Sequence, residues 1–415
     1  MQILWMKSDY VVPPDTGGKI RTYNLLRELH MRCPITYTSF RANRSVDKLP
    51  PMDECAQTVV TFYRAEENKS GPWFYWRIIR GMRSHLPYIV QKYRSAAFRE
   101  AQSQWFDRIQ REGSKDDSLV VCDFLEMSEN VDWSIPVPKV LFQHNIESMI
   151  WRRYSENELN PAKRAYFEFE YKRMKAYESA VCNKYDLIFT VSHKDRDALR
   201  HDLGVGVPVE VLETGVDTVY FTPDAARQPV PGRMLFLGSM DWMPNIDGAK
   251  WFVSSIYPLI RELVPHATLQ IVGRRPADAI RRLATEDPSI QVIQDVADVR
   301  PYVASADLFI VPLRIGGGSR IKIYEAMAMG RPVVATSIGA EGLPLKRGEH
   351  LAVCDSPGEF ARRVEFLTRN VDEKNRMAAR GFDFVVNNCP WSRIATALYE
   401  RCRIVARSDR LVAPA

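Results

Sequence analysis

Short runs of β-branched and aromatic residues recur through the first half of the chain, and between them apolar positions return every three or four residues. Brief apolar runs bounded by turn residues argue for strands, and the longer 3.6-residue pattern argues for helices. Strands are predicted at Gln2–Met6, Ile35–Phe40, Thr58–Phe62, Leu119–Cys122, Val140–Gln143, Leu187–Val191 and Val209–Leu212. A long charged helix is predicted over Pro161–Asn183, and Ser192 is placed to cap the helix after the sixth strand. Strand and helix alternating in this way is the mark of a doubly wound α/β sheet.

The stretch TGVDTVYFTPDAARQPVPG, residues 214–232, is rich in turn residues and proline and reads as a linker. The alternation then restarts with a strand at 234–238, a helix from about Ile246 to Leu263, and strands at Ala267–Val272, Gln291–Ile293, Asp307–Val311 and Pro332–Thr336. These strands show little polar alternation, which implies cover on both faces. From Glu359 to about Val405 the pattern is helical, broken only at Cys389–Pro390, and a helix starting near Trp391 is expected to pack back across the domain boundary. The expected organisation is a Rossmann-like domain at 1–213, the linker at 214–232, a second Rossmann-like domain at 233–390, and a C-terminal helix and tail at 391–415. A chain of 415 residues exceeds what one core normally supports, in keeping with two domains.

Composition adds mainly exclusions. The hydrophobic fraction of 46% and charged fraction of 26% are those of an ordinary globular protein, and a net charge of +6 does not argue for nucleic acid. No apolar run is long enough for a transmembrane helix, and MQILWMK leads straight into a strand-like run without signal-peptide features, so a cytoplasmic location is expected. The seven cysteines show neither pairing nor metal spacing and read as core filler in a reducing compartment. The segment 69–99 interleaves Trp73, Phe74, Trp76, Ile78 and Ile79 with Arg77, Arg80, Arg83, Lys92 and Arg94. Two readings stay open there: an amphipathic helix with its aromatics in the core, or a peripheral contact with the inner face of an anionic membrane or with a lipid-linked acceptor.

Candidate chemistry gathers on the loops that follow strands, where open α/β sheets bind ligands. RIGGGSRIKIYEAMAMGRPVVAT, residues 314–336, joins a triple-glycine turn to a helix whose start carries Ser319, Arg320 and Lys322. Cations oppose the helix dipole at an N-terminus, and a bound anion resolves that conflict. Glycines let backbone N–H groups approach a phosphate, so this reads as a diphosphate site, with Glu325 further along the helix. Gly17 and Gly18 open a helix carrying Lys19 and Arg21, a second anion nest or a plain turn. In FLGSMDWMPNIDG, Gly238 and Ser239 form a turn, Asn245 is expected to cap a helix, and Trp242 sits in a loop. Gly273 and Arg274 end a strand, and Val296 and Asp298 precede a short helix, in loops suited to phosphate or to a nucleobase edge. His144 follows directly on a predicted strand. Asp9, Asp123, Glu126 and Glu147 lie on the same kind of loop, and spacing singles out none of them. Neither a dinucleotide fingerprint nor a Walker motif nor a metal-binding pattern is present.

Taken together, GGGSRIKIYEAMAMGRPVVATSIGAEGL, FLGSMDWMPN, IVGRRP, the GVD of ETGVDTVYFTP and FQHNIES resemble the retaining glycosyltransferases of family 4. The resemblance implies a GT-B fold, two Rossmann-like domains facing across a cleft, with an acceptor held mainly by the first and a nucleotide-diphosphate sugar by the second. No metal or other cofactor is expected, the sugar nucleotide being a substrate. Glu325 would hold the ribose hydroxyls, and Gly317, Gly318 and Ser319 would offer donors to the diphosphate and sugar. His144 would sit beside the donor sugar, with Gly17 and Gly18 near the phosphate or acceptor. The family's second glutamate, eight residues before Glu325, is replaced by Gly317. The arginine and lysine usual after the first strand of the second domain are missing from GSMDWMPN, and Arg320 and Lys322 are expected to replace them as catalytic cations. A sugar-nucleotide epimerase on the same fold and a non-catalytic sugar-nucleotide-binding partner remain alternatives.

Overall fold

The computed structural model describes residues 1–65, 71–315 and 320–408. The chain divides into two compact units, Met1–Glu213 together with the C-terminal stretch from Trp391, and Thr214–Pro390. In the first unit seven strands, β1 (Gln2–Lys7), β2 (Ile35–Arg41), β3 (Thr58–Tyr63), β4 (Ser118–Asp123), β5 (Lys139–Gln143), β6 (Leu187–Thr190) and β7 (Val209–Val211), form a parallel sheet ordered β3-β2-β1-β4-β5-β6-β7. Successive side chains of a strand point to opposite faces. Accordingly Ile3, Trp5, Leu119 and Val121 feed one core, while Leu4, Met6, Val120 and Cys122 feed the other. The register sets Lys7 opposite Asp123 and Asp123 opposite Phe142, so the C-terminal ends of β1, β4 and β5 come level.

Helix Trp391–Ser408 belongs to this unit. Its Trp391, Ile394, Ala395, Leu398 and Cys402 recur at helical spacing and share a core with Leu25, Leu26 and Leu29 of helix Gly17–His30. Ser192 caps the helix after β6 by accepting from the Asp195 N–H at 3.1 Å. Six of the seven cysteines are buried.

In the second unit β8 (Arg233–Leu237), β9 (Thr268–Gly273), β10 (Ile290–Gln294), β11 (Leu308–Val311), β12 (Val333–Ala335) and β13 (Ala352–Val353) form a parallel sheet ordered β10-β9-β8-β11-β12-β13. The stretch expected as a linker packs with this unit, where the Val216 N–H donates to the Cys389 carbonyl at 2.8 Å. The helix expected from Ile246 begins earlier, at Met243, because Pro244 fits a first turn that lacks N–H partners. Trp242 is therefore the N-cap residue and Asn245 lies inside the helix. A second departure is at Asn370, which separates helices Pro357–Arg369 and Val371–Asn388 where one continuous run was expected. No helix among the described residues is long and apolar enough to cross a membrane.

Candidate functional site

In the first unit the level strand ends bring Lys7, Asp123 and His144 together. Asp123 is fully buried; its Oδ2 accepts from the Trp5 indole at 3.0 Å and from the Thr22 hydroxyl at 2.6 Å, and its Oδ1 lies 2.6 Å from His144 Nε2. Lys7 Nζ is 3.4 Å from the same carboxylate. Burial alone would raise the Asp123 carboxyl, but the Lys7 ammonium and the His144 ring outweigh it and hold the group below the usual range. Burial lowers His144 to about 4 against the pull of Asp123, so the ring is neutral near pH 7 and donates from Nε2 to the carboxylate. That ring stacks on Phe124, with centroids 3.9 Å apart and planes 5° from parallel. Lys7 Nζ lies 4.0 Å from the Phe124 centroid.

Phe124 holds a left-handed backbone, φ 83°, and a Cβ on Gly18 would come 3.0 Å from its ring. Gly18 thus admits Phe124, which in turn backs His144, while Gly17 meets nothing within 4 Å of a built Cβ. Two side chains of the expected anion nest are otherwise engaged. Arg21 is buried and donates to the carbonyls of Leu212 and Glu213, securing the end of the first unit's chain. Lys19 lies 3.4 Å from Asp15. Asp123, Lys7 and Thr22 are the residues that sequence reasoning did not single out. The available signal was a charged residue closing a buried strand on both β1 and β4, which only the parallel register brings side by side.

In the second unit the ends of β8 and β9 meet so closely that a Cβ on Gly273 would lie 1.7 Å from the Gly238 carbonyl. The Gly238 N–H donates to Val272 and the Met240 N–H to Arg274, each at 3.0 Å. Gly238 therefore serves by close approach, its N–H being taken by the Val272 carbonyl. Asn245, expected as a cap, instead donates to the Ser239 carbonyl at 2.8 Å and accepts from Lys322 Nζ at 3.2 Å. Lys322, in helix Ile321–Ala328, also donates to the Leu237 carbonyl at 3.0 Å, so its ammonium sits at the end of β8. Burial, with Arg320 nearby, lowers it to about 7. Burial raises Glu325 to about 7, with Lys322 opposing.

Arg320 is the N-cap residue of this helix and is 3% exposed; its Nη2 donates to the Ile338 carbonyl at 3.2 Å. Val296, expected beside a nucleobase, packs against the second core. Arg274 is half-buried, with its backbone tied to Met240. Gly317, Gly318 and Ser319 lie outside the described residues. The structure thus groups Gly238, Gly273, Asn245 and Lys322, with Arg320 and Glu325 on the same helical segment as Lys322, while Val296 is partly buried at the edge of the second unit's core.

Comparison with known proteins bears on this geometry. Residues 231–370 match the family model described as glycosyl transferases group 1. A Klebsiella pneumoniae protein described as an uncharacterized 44.6 kDa protein in the cps region is 21% identical over 63% of this chain and 68% of its own length. The phosphatidyl-myo-inositol mannosyltransferase of Mycobacterium leprae is 31% identical over 48% of this chain and 53% of its own length, so the chain spans about half of that relative. Among solved structures, sucrose-phosphate synthase from Thermosynechococcus elongatus superposes with a TM-score of 0.69 at 14% identity, covering 98% of this chain and 99% of that one. Anabaena HepE, solved in complex with UDP, does so with a TM-score of 0.63 at 12% identity, covering 97% and 99%. The chain therefore has the GT-B fold and matches the glycosyl transferases group 1 family over residues 231–370.

Proposed function

We propose that the protein transfers a glycosyl group from a nucleotide-diphosphate sugar to a glycan or lipid-linked acceptor, with retention of configuration and without a resident metal, in the assembly of a bacterial surface polysaccharide or glycolipid. The observation that carries this reading is Lys322, a buried ammonium fixed by Asn245 and the Leu237 carbonyl at the C-terminal edge of the second sheet, with Arg320 beside it. A departing diphosphate gains charge as the glycosidic bond breaks, and a preorganised cation at that edge stabilises it. Glu325 is assigned to the ribose hydroxyls, and the backbone of Gly317, Gly318 and Ser319, with the turns at Gly273 and Arg274, to the diphosphate and sugar.

In the first unit His144, neutral and held by Asp123, is assigned to the donor sugar, with Gly17 and Gly18 bordering it. The acceptor hydroxyl attacks C1, the bond from C1 to the phosphate oxygen breaks, and the acceptor proton passes to the departing phosphate, so no protein base is needed. The UDP complex of HepE and the mannosyltransferase name of the mycobacterial relative support a sugar-nucleotide donor, and the cps setting of the Klebsiella protein supports a surface glycan. Peripheral membrane contact through residues 69–99 is supported by Trp76 and Ile79, which are 47% and 64% exposed beside Arg80 on helix Pro72–Gly81.

The test is a thermal-shift screen of the full chain against nucleotide-diphosphate sugars with chelator present. A ligand at about 100 times its dissociation constant adds about 2.7 kcal/mol to stability. Lys322→Ala and Arg320→Ala are each expected to lower turnover at least about tenfold. Unchanged turnover in both variants would remove the cations from the mechanism.

A further inference from the structure

His144 stands in the short connection 144–146, between β5 and helix Glu147–Asn157. Both ends of that connection are gripped by one side chain from elsewhere in the unit. Glu178, on helix Pro161–Cys182, is fully buried; its Oε1 accepts from the Gln143 side-chain amide and from the Glu147 N–H at 2.9 Å, and its Oε2 accepts from the Ser148 N–H at 3.0 Å. Cys182, four residues on and so on the same helical face, donates to the Gln143 amide oxygen, with Sγ 3.6 Å from Oε1. The gripping helix is itself seated, since Met174, Val181 and Cys182 share a core with Leu141 and Ile146.

The local sequence explains part of this arrangement. The first N–H groups of a helix have no partner within it, and a Ser, Thr, Asp or Asn just before the helix usually takes one of them. Here the N-cap residue is Ile146, whose side chain offers no acceptor and packs in the core. A carboxylate carried by a second helix takes those donors instead, and its charge suits the positive end of the helix dipole. Capping, however, requires only Glu147 and Ser148. The bond from Gln143 lies on the other side of His144 and ties the same carboxylate to the last residue of β5.

Resting on the transferase reading above, which assigns His144 to the donor sugar, we propose that Glu178 is the positioning residue of His144, holding both ends of the connection that carries the ring. Asp123 fixes one ring atom, Nε2, and Phe124 fixes the plane of the ring. A ring held only in these two ways can still turn within its plane. Turning displaces Nδ1, which carries the lone pair of the Nε2-protonated ring and is the atom left to accept from a sugar hydroxyl. Fixing the backbone before and after His144 removes that freedom. Released at either end, the connection lets the ring turn and draw away from Asp123.

Two variants separate positioning from capping. Glu178→Gln leaves one acceptor oxygen where the carboxylate has two, whereas Gln143→Met removes the grip on β5 and leaves both bonds to the helix start in place. Turnover of the full chain is measured with a panel of sugar nucleotides and oligosaccharide acceptors below each variant's melting temperature. UDP and GDP affinity and the imidazole 15N spectrum are recorded beside it, with His144→Gln assigning the His144 signals. Both variants are expected to lose at least about tenfold in kcat, the scale of a small misplacement of a reacting group. Nucleotide affinity is expected to stay unchanged, and the His144 signals to move from the single Nε2-protonated tautomer toward a mixture. Native turnover in Gln143→Met overturns the proposal, as do native His144 signals in both variants. A Glu178→Gln chain that loses thermal stability but keeps its kcat assigns the carboxylate to capping alone and overturns it too. Should Glu178→Gln fail to fold, Gln143→Met decides by the same two readouts. A native chain that transfers from no donor refutes the transferase reading, and the His144 signals of Gln143→Met then decide whether Glu178 holds the ring.

Discussion

Asp123 illustrates how one buried residue acquires a role from its neighbours. Four partners converge on a carboxylate with no solvent exposure, and His144 is among them. Because His144 is held near 4 in the folded protein against an ordinary 6.5, the unfolded chain takes up a proton between those values that the native protein refuses. Stability is therefore expected to fall as pH drops from about 6.5 to about 4, and urea denaturation of His144→Gln should show a flatter decline over that window. An equally steep decline in the variant would place the titrating group elsewhere. Sequence reading named His144 because a histidine closing a strand is conspicuous. It left Asp123 among four carboxylates, since what distinguishes Asp123 is its register partner on another strand, and spacing along the chain does not contain that.

The elements themselves were largely legible. Every strand predicted from its apolar run is present within a residue or two, because parallel strands covered on both faces must be almost wholly apolar. Strand β13 was not legible, being a two-residue pairing of Ala352–Val353 that no periodicity reveals. The start of helix Met243–Trp251 was misplaced because Asn245 looks like a cap, whereas its side chain is committed to Ser239 and Lys322. At this junction of β8, β9 and two helices, the two glycines make different predictions. A Cβ at Gly273 strikes backbone, so Gly273→Ala should destabilise the unit by about 1–3 kcal/mol or more. A Cβ at Gly238 strikes the end of the Asn245 side chain at 2.6 Å, so Gly238→Ala should fold but release Lys322. Lys322, lowered to about 7, also makes nucleotide affinity pH-dependent: a bound diphosphate favours the charged amine, so affinity should fall as pH rises above about 7. Calorimetry on Lys322→Met should find that dependence reduced; an identical pH profile would assign it to Glu325, which titrates in the same range.

For the whole molecule, two parallel sheets, the first between two cores and the second with its own, were readable because the strand-and-helix alternation stops and restarts around 214–232. The return of helix Trp391–Ser408 to the first unit was expected from the break at Cys389–Pro390, and its apolar stripe against helix Gly17–His30 gives the reason. Less of the site was readable, since residues that meet at a sheet edge are separated by a hundred positions, as Thr22 and Asp123 are. The most direct test of the account is release of nucleoside diphosphate from a panel of sugar nucleotides, in the presence of oligosaccharide acceptors, by the native chain and by Lys322→Ala. Acceptor-dependent release from at least one donor, reduced about tenfold or more by the substitution, is the predicted result. Release that is equal in the two proteins, or absent with every donor, would contradict it.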